Sequence, residues 1–457
     1  MRSLINKNNV GNYPLILLIF LITIYICPNI RLLSAGEMSC LPAFIILITY
    51  SFLNIEEFLF YLAIAILTFC ALFISSMDIE ANQAVIKSGL ISYYILSVPL
   101  ILSIIFGRLF AFRFKLIGKK RTINEIKFII YFLVLIFFAS GFLNTFAPSL
   151  LPVFLFTGRT SFSRLTFFFS EPSQAASVIL FLWFFAFQFL FNKKFISFFG
   201  SGYFIFSLIT LILALATTLL SLPGTLIMQI VISFGLTISI YLCRSLLNLL
   251  RTQRIRILTF RFSRTTLLAF LLVNVFSLIA IRFIFFGSYS RITFIFDQIA
   301  STSIIDGLTA AGGFRFYYAF ASVYYSIVKI FSLPGDWLGT FINDLLSSLD
   351  NFAFAPGDDV FQLVKDPINI KPLGWLYFCM YDLGIIGFSL YIYFAIRKYF
   401  KIILNGILKN QFLFISAVSF QMAILIVPVL PSTPCIFIPL LLVIANQTYS
   451  KLNIKEI

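Results

Sequence analysis

Chemistry in this chain must run without histidine, because none of its 457 residues is one. That removes the commonest general base and the commonest metal ligand together, leaving carboxylates, Arg, Lys, Tyr and Ser. The most suggestive grouping lies between Pro148 and Pro172, where Arg159 and Arg164 precede Phe169-Ser170-Glu171-Pro172-Ser173. A guanidinium grips phosphate through two parallel hydrogen bonds and keeps its charge when partly desolvated. Two of them in a nearly charge-free stretch suit a diphosphate at the level of lipid headgroups. Glu171 also has a plainer reading. Proline is tolerated in the first helical turn, Ser170 can cap that turn, and a carboxylate there is stabilised by the helix dipole.

Asp382 stands inside an apolar run, in Tyr381-Asp382-Leu383-Gly384-Ile385-Ile386-Gly387. An acid within a bilayer is costly and marks function, whereas one near the interface is simply hydrated; the sequence supports both readings equally. Cys27, Cys40, Cys70, Cys243, Cys379 and Cys435 lie in or beside apolar runs without C-x-x-C spacing, and read as small buried hydrophobes. No P-loop, G-x-G-x-x-G fingerprint or zinc signature occurs, and no internal repeat is evident.

The elements that must position these residues follow from composition. Hydrophobic residues make up 61% of the chain, charged residues 11%, and the mean hydropathy is +1.03. A soluble domain is about 25% charged, so an ordinary water-soluble fold is excluded and a polytopic, all-α membrane protein is indicated. Twelve apolar runs are long enough to be candidate spans: 14–33, 38–53, 58–76, 89–106, 128–147, 173–192, 203–220, 224–243, 265–287, 373–396, 411–428 and 435–447. The first resembles a signal peptide but lacks a clear cleavage site, and reads as an uncleaved helix.

Most of the 33 basic residues fall in alternate connections, notably Arg108 to Lys127, Arg244 to Arg264 and Arg397 to Lys409. Basic connections stay cytoplasmic, which puts both termini inside. The net charge of +16 is therefore accounted for by topology and anionic headgroups, and nucleic acid is not an expected partner. The 60 phenylalanines read as lipid-facing and packing residues.

This divides the chain into helices 1–9 over 1–287, a large outer loop over 288–372, and helices 10–12 over 373–457. A loop of that length should carry short helices and function. Within it, Phe314-Arg315-Phe316-Tyr317-Tyr318 leads an apolar segment to Pro334-Gly335-Asp336, as an amphipathic helix lying on the membrane would. Ala355-Pro356-Gly357-Asp358-Asp359 makes an acidic turn.

These features together resemble the O-antigen polymerases of the Wzy type, within the group that includes O-antigen ligases. The likeness rests on Arg164 followed by Phe169-Ser170-Glu171-Pro172-Ser173, on the long outer loop with Arg315 ahead of Leu333-Pro334-Gly335, and on Gly374 through Gly387. Ligases of the group typically use a loop histidine, so the chain is more similar to the polymerases.

The resemblance implies a GT-C-like glycosyltransferase of the bacterial inner membrane. It would move a growing glycan from undecaprenyl diphosphate to the non-reducing end of another lipid-linked repeat unit on the periplasmic side. Arg159, Arg164, Arg315 and Arg291 would hold the diphosphate, and Glu171 would orient arginines or act as general base. Asp358 and Asp359 are further candidates for sugar binding or for the base. No cofactor or metal is required, since arginine can stabilise a diphosphate leaving group. The lipid bilayer and a chain-length regulator are the remaining partners implied. Three rival readings are a flippase for the lipid-linked unit, a ligase, and a non-catalytic scaffold.

Overall fold

A backbone surrounded by hydrocarbon has to satisfy its own N–H and C=O groups, so apolar runs separated by Pro, Gly or charged breaks become helices. The computed structural model describes residues 59–66 and 118–146 at intervals, then 147–150, 172–221, 224–252, 314–331, 341–345 in part, and 372–427 without 409–411. These residues are entirely helical or connecting, with no strand among those described. The helices are α1 (Ile123–Leu143), α2 (Pro172–Phe191), α3 (Lys193–Phe199), α4 (Tyr203–Ser221), α5 (Gly224–Thr252), α6 (Phe314–Val328), α7 (Trp375–Leu408) and α8 (Phe412–Ile426). A 3-10 turn, Lys329–Phe331, extends α6. The apolar runs expected at 128–147, 173–192, 203–220, 224–243, 373–396 and 411–428 thus coincide with helices. Those at 14–33, 38–53, 89–106, 265–287 and 435–447 lie outside the described residues, and 58–76 is described only at Leu59, Leu62, Ala63 and Ile66.

Local breaks have local causes. α2 begins at Pro172, where the missing N–H costs no helical bond. It ends at Asn192, whose extended backbone and side-chain oxygen, accepting from the Phe195 N–H at 3.2 Å, cap α3. Gly200 closes α3 at a φ of 75°, a conformation that side chains disfavour.

α2 is the hub of the described bundle, packing against α4, α5 and α8, while α8 also packs against α5 and α7. From Phe184 to Phe189 every side chain is buried, as in a helix enclosed by others. The Phe187 ring meets Phe234 of α5 at 4.4 Å, and Phe412 and Phe420 of α8 at 5.2 and 5.9 Å. A second cluster, Phe189, Phe195, Phe199 and Phe206, fixes α3 between α2 and α4.

Buried polar groups tie the same helices. Trp183 Nε1 donates to Thr218 Oγ1 of α4 at 2.8 Å, and Gln188 Nε2 donates to Ser416 Oγ of α8. Ser233 and Thr237 of α5 and Ser419 of α8 donate to the carbonyl one turn back. Small side chains of this kind let apolar helices approach closely.

The outward surface is apolar. α1 turns Leu135, Phe138 and Phe142 outward at 63%, 66% and 61% exposure. Two helical stretches, Ile123–Leu143 and Thr225–Arg244, are long and apolar enough to cross a membrane, and only 14% and 22% of these stretches are buried. Apolar helices that face outward suit a bilayer and not the core of a water-soluble protein.

One expectation needs correction. Cys243 is exposed on α5 rather than buried, because its position on the helix faces away from α2 and α8; Cys379 is buried as expected, and both are free thiols. α6, at the stretch expected to be amphipathic, has two distinct faces. Its protein-facing side is Ala321, Ser322, Tyr325 and Ser326, whereas Phe320, Tyr324, Ile327 and Val328 point outward. Hydroxyl-bearing residues turned inward and large apolar ones outward suit contact with lipid.

Phe187→Ala should remove about 3–5 kcal/mol of stability by leaving a cavity where three helices meet. Phe138→Ala, on the outward face, should leave the melting temperature of the detergent-solubilised protein nearly unchanged in the same assay.

Candidate functional site

The long 288–372 segment can act on the bundle only if it is anchored there, and the described part of it is. α6 and its 3-10 extension pack against α7 through two polar ties. Ser322, fully buried on α6, accepts a hydrogen bond from the Leu373 N–H at 2.8 Å and donates to the Tyr318 carbonyl at 2.7 Å. Just past the end of α6, Lys329 Nζ lies 3.6 Å from an Asp344 oxygen, and the Tyr381 hydroxyl of α7 donates to that oxygen at 2.7 Å. The phenyl ring of Phe341 fills the space between, 5.8 Å from Tyr318 and edge-on to Tyr381 at 5.3 Å.

The two ties differ in strength. Asp344 and Lys329 are both partly solvent-accessible, so their Coulombic contribution is small. The hydrogen bond from Tyr381, whose side chain is buried, to a carboxylate is directional and charge-assisted. One turn earlier on α7, the Tyr377 hydroxyl donates to the Ile426 carbonyl at the end of α8 at 2.8 Å, satisfying a carbonyl that the helix leaves open.

α7 is broken within its apolar run. Gly384 has φ 59° and ψ −167°, so Trp375–Leu383 forms one helical piece and the chain resumes the helix beyond it. That backbone region is essentially restricted to glycine. The break also brings residue 387 close to residue 383: a Cβ at Gly387 would lie 2.5 Å from the Leu383 Cβ.

Asp382, two residues before the break, is 4% exposed. The acid is therefore covered by protein. A buried carboxylate thus stands beside a helix break.

Among the residues singled out from sequence, Arg315 falls in the first turn of α6. Arg159, Arg164, Glu171, Arg291, Asp358 and Asp359 lie outside the described residues. Asp344, Lys329, Tyr381 and Ser322 were not singled out. Lys329 interrupts an otherwise apolar helix end, and Asp344 is a lone acid between Asn343 and Leu345, the weak signals that mark them. No group of three or more His, Cys, Asp or Glu capable of holding a metal occurs among the described residues.

What the arrangement offers chemically is a fixed mount: a helix beginning with an arginine, pinned to a broken helix that buries an acid. Gly384→Ala should cost about 1–3 kcal/mol through its disfavoured backbone. Gly387→Ala should also destabilise, by pressing on Leu383; thermal melts of the two variants in detergent check both. Compared with known proteins, the chain matches no family model, no curated protein and no solved structure.

Proposed function

We propose that the protein is a membrane glycosyltransferase that polymerises a surface polysaccharide such as O-antigen from undecaprenyl-diphosphate-linked repeat units. In this reading the twelve apolar runs span the inner membrane in a GT-C-like arrangement, both termini are cytoplasmic, and 288–372 is the periplasmic loop. The observation that carries the proposal is the anchoring of α6, with Arg315 in its first turn, to α7 by ties from three separate stretches of chain. A diphosphate leaving group needs positive charge held in place before the reaction, because reorientation during the reaction would cost part of the stabilisation.

The acceptor sugar hydroxyl attacks the anomeric carbon of the donor glycan. The new glycosidic C–O bond forms as the bond from that carbon to the diphosphate breaks, and the electron pair leaves with undecaprenyl diphosphate. Arg159, Arg164, Arg291 and Arg315 neutralise the departing charge. Glu171, directly before α2, takes the hydroxyl proton or orients the arginines. Asp358 and Asp359 bind sugar hydroxyls or supply the base in its place.

A second reading has its own support. Asp382 buried beside the break at Gly384 is a pairing of the kind transporters use near the midplane, which favours a flippase for the same lipid-linked unit.

The test uses cells lacking the protein, complemented with wild type or with Arg164→Ala, Arg315→Ala or Glu171→Ala at matched membrane abundance. Wild type should restore long glycan chains. Each variant should slow polymerisation on the order of 10²–10³-fold, the effect of removing one preorganised charge-stabilising group, and leave single-repeat products. Ladders that persist in all three variants overturn the site. Absence of outer-face repeat units in cells without the protein favours transport.

A further inference from the structure

We propose that Asp344 is a positioning residue: it latches α6 to α7 and thereby sets where the arginine at the start of α6 stands. This rests on the glycosyltransfer reading above. Asp344 touches two stretches of chain remote from its own, Lys329 at 3.6 Å and the Tyr381 hydroxyl at 2.7 Å. It is thus the point at which the end of α6, the middle of the long segment and the first piece of α7 converge.

The second tie, from the Leu373 N–H to Ser322, supplies the geometry. About two helical turns separate Ser322 from Lys329, and about two separate Leu373 from Tyr381. Equal spacing on both sides means that α6 and the first piece of α7 run side by side in the same sense, joined near each end of the shared stretch. One tie alone would leave α6 free to pivot. With both, Arg315, about two turns before Ser322, has a defined place relative to α7.

The ties do not duplicate the packing. The face that α6 turns inward carries Ala321, Ser322 and Ser326 with one large side chain, Tyr325, so much of its contact is close approach of small groups. Phe341 packs on Tyr318 and Tyr381 without selecting a depth. The hydrogen bonds are the directional part of this contact and add register to what the packing supplies. A displacement of about 1 Å at a group that stabilises a leaving group can lower the rate about 100-fold, so a loosened α6 would be felt as lost polymerisation.

Two readouts on the full-length protein test this. One is hydrogen–deuterium exchange of the 314–331 amides in detergent, and the other is the glycan ladder in complemented cells at matched membrane abundance. Asp344→Ala should speed exchange in α6 about tenfold, leave α2 and α4 as in wild type, and cut polymerisation 10–100-fold. Asp344→Asn keeps an acceptor for the Tyr381 hydroxyl and should restore most of both.

Unchanged exchange in α6 overturns the latch, and loosened α6 with full-length ladders overturns its positioning role. Should Asp344→Ala also disturb α2 and α4, Tyr381→Phe, which removes the hydroxyl and keeps the ring, decides by the same two readouts. If wild type itself restores no ladder, the glycosyltransfer reading and the positioning role that rests on it both fall; the exchange measurement still decides whether Asp344 holds α6.

Discussion

Gln188 lies fully buried near the end of a helix that is apolar on every side, and an amide in that position must find its partners within the protein. It finds them on two neighbours. Its nitrogen donates to Ser416 of α8, and its oxygen accepts from Asn192 Nδ2 at 2.8 Å, while Asn192 caps α3. One side chain thus fixes the depth of α8 along α2 and the point at which α2 gives way to α3. The phenyl contacts around Phe187 supply non-directional attraction; the amide supplies register. A chain with so few polar groups has few such points, and each one decides more of the geometry than it would in a soluble protein.

The same division of labour recurs where the long segment meets α7. Apolar surface on α6 is a non-directional guide to how far along α7 it should sit, because most of its large residues, Tyr325 apart, are on the outward side. Ser322 and Asp344 decide it, each by pairing with a group on α7 that its own helix leaves open: the Leu373 N–H ahead of the helix and the Tyr381 hydroxyl on its flank. Helix-end groups have no partner within the helix, so they serve as sockets for tertiary ties. Tyr377 uses the end of α8 in the same way.

This matters for function because a site built on a helix is held to tighter tolerance than one built on a loop. The 288–372 segment is long enough to wander, yet the described part of it is a helix tied at two places. Beside it, α7 carries a buried acid and a glycine break whose conformation excludes other residues. The polymerase reading draws on the tied arginine helix, and the transport reading draws on the broken acid-bearing one. They stand on adjacent elements, which is why an assay of glycan length with a separate measure of outer-face repeat units can tell them apart.

Helix positions were legible in the sequence because their causes are local. Runs of Phe, Leu and Ile bounded by Pro172, Asn192, Gly224 and Gly374 give the starts of α2, α4, α5, α7 and α8 within a few residues, whereas α5 and α7 continue 9 and 12 residues past the expected ends at 243 and 396, to Thr252 and Leu408. The presence of an amphipathic stretch from Phe314 was legible too, but its facing was not. Both sides of α6 are largely uncharged, so periodicity cannot say which one meets protein.

Nor does spacing relate Lys329, Asp344 and Tyr381, which come together only through the fold, and no local rule tells a hydrated Asp382 from a buried one. The sequence by itself determined where most of the described helices begin and that they are rich in apolar side chains, because backbone satisfaction and apolar transfer act residue by residue. Which face turns inward, which acid is covered and which hydroxyl meets which carboxylate were decided only by tertiary structure. Hydrogen bonds between distant residues exist only once packing has brought the partners within about 3 Å.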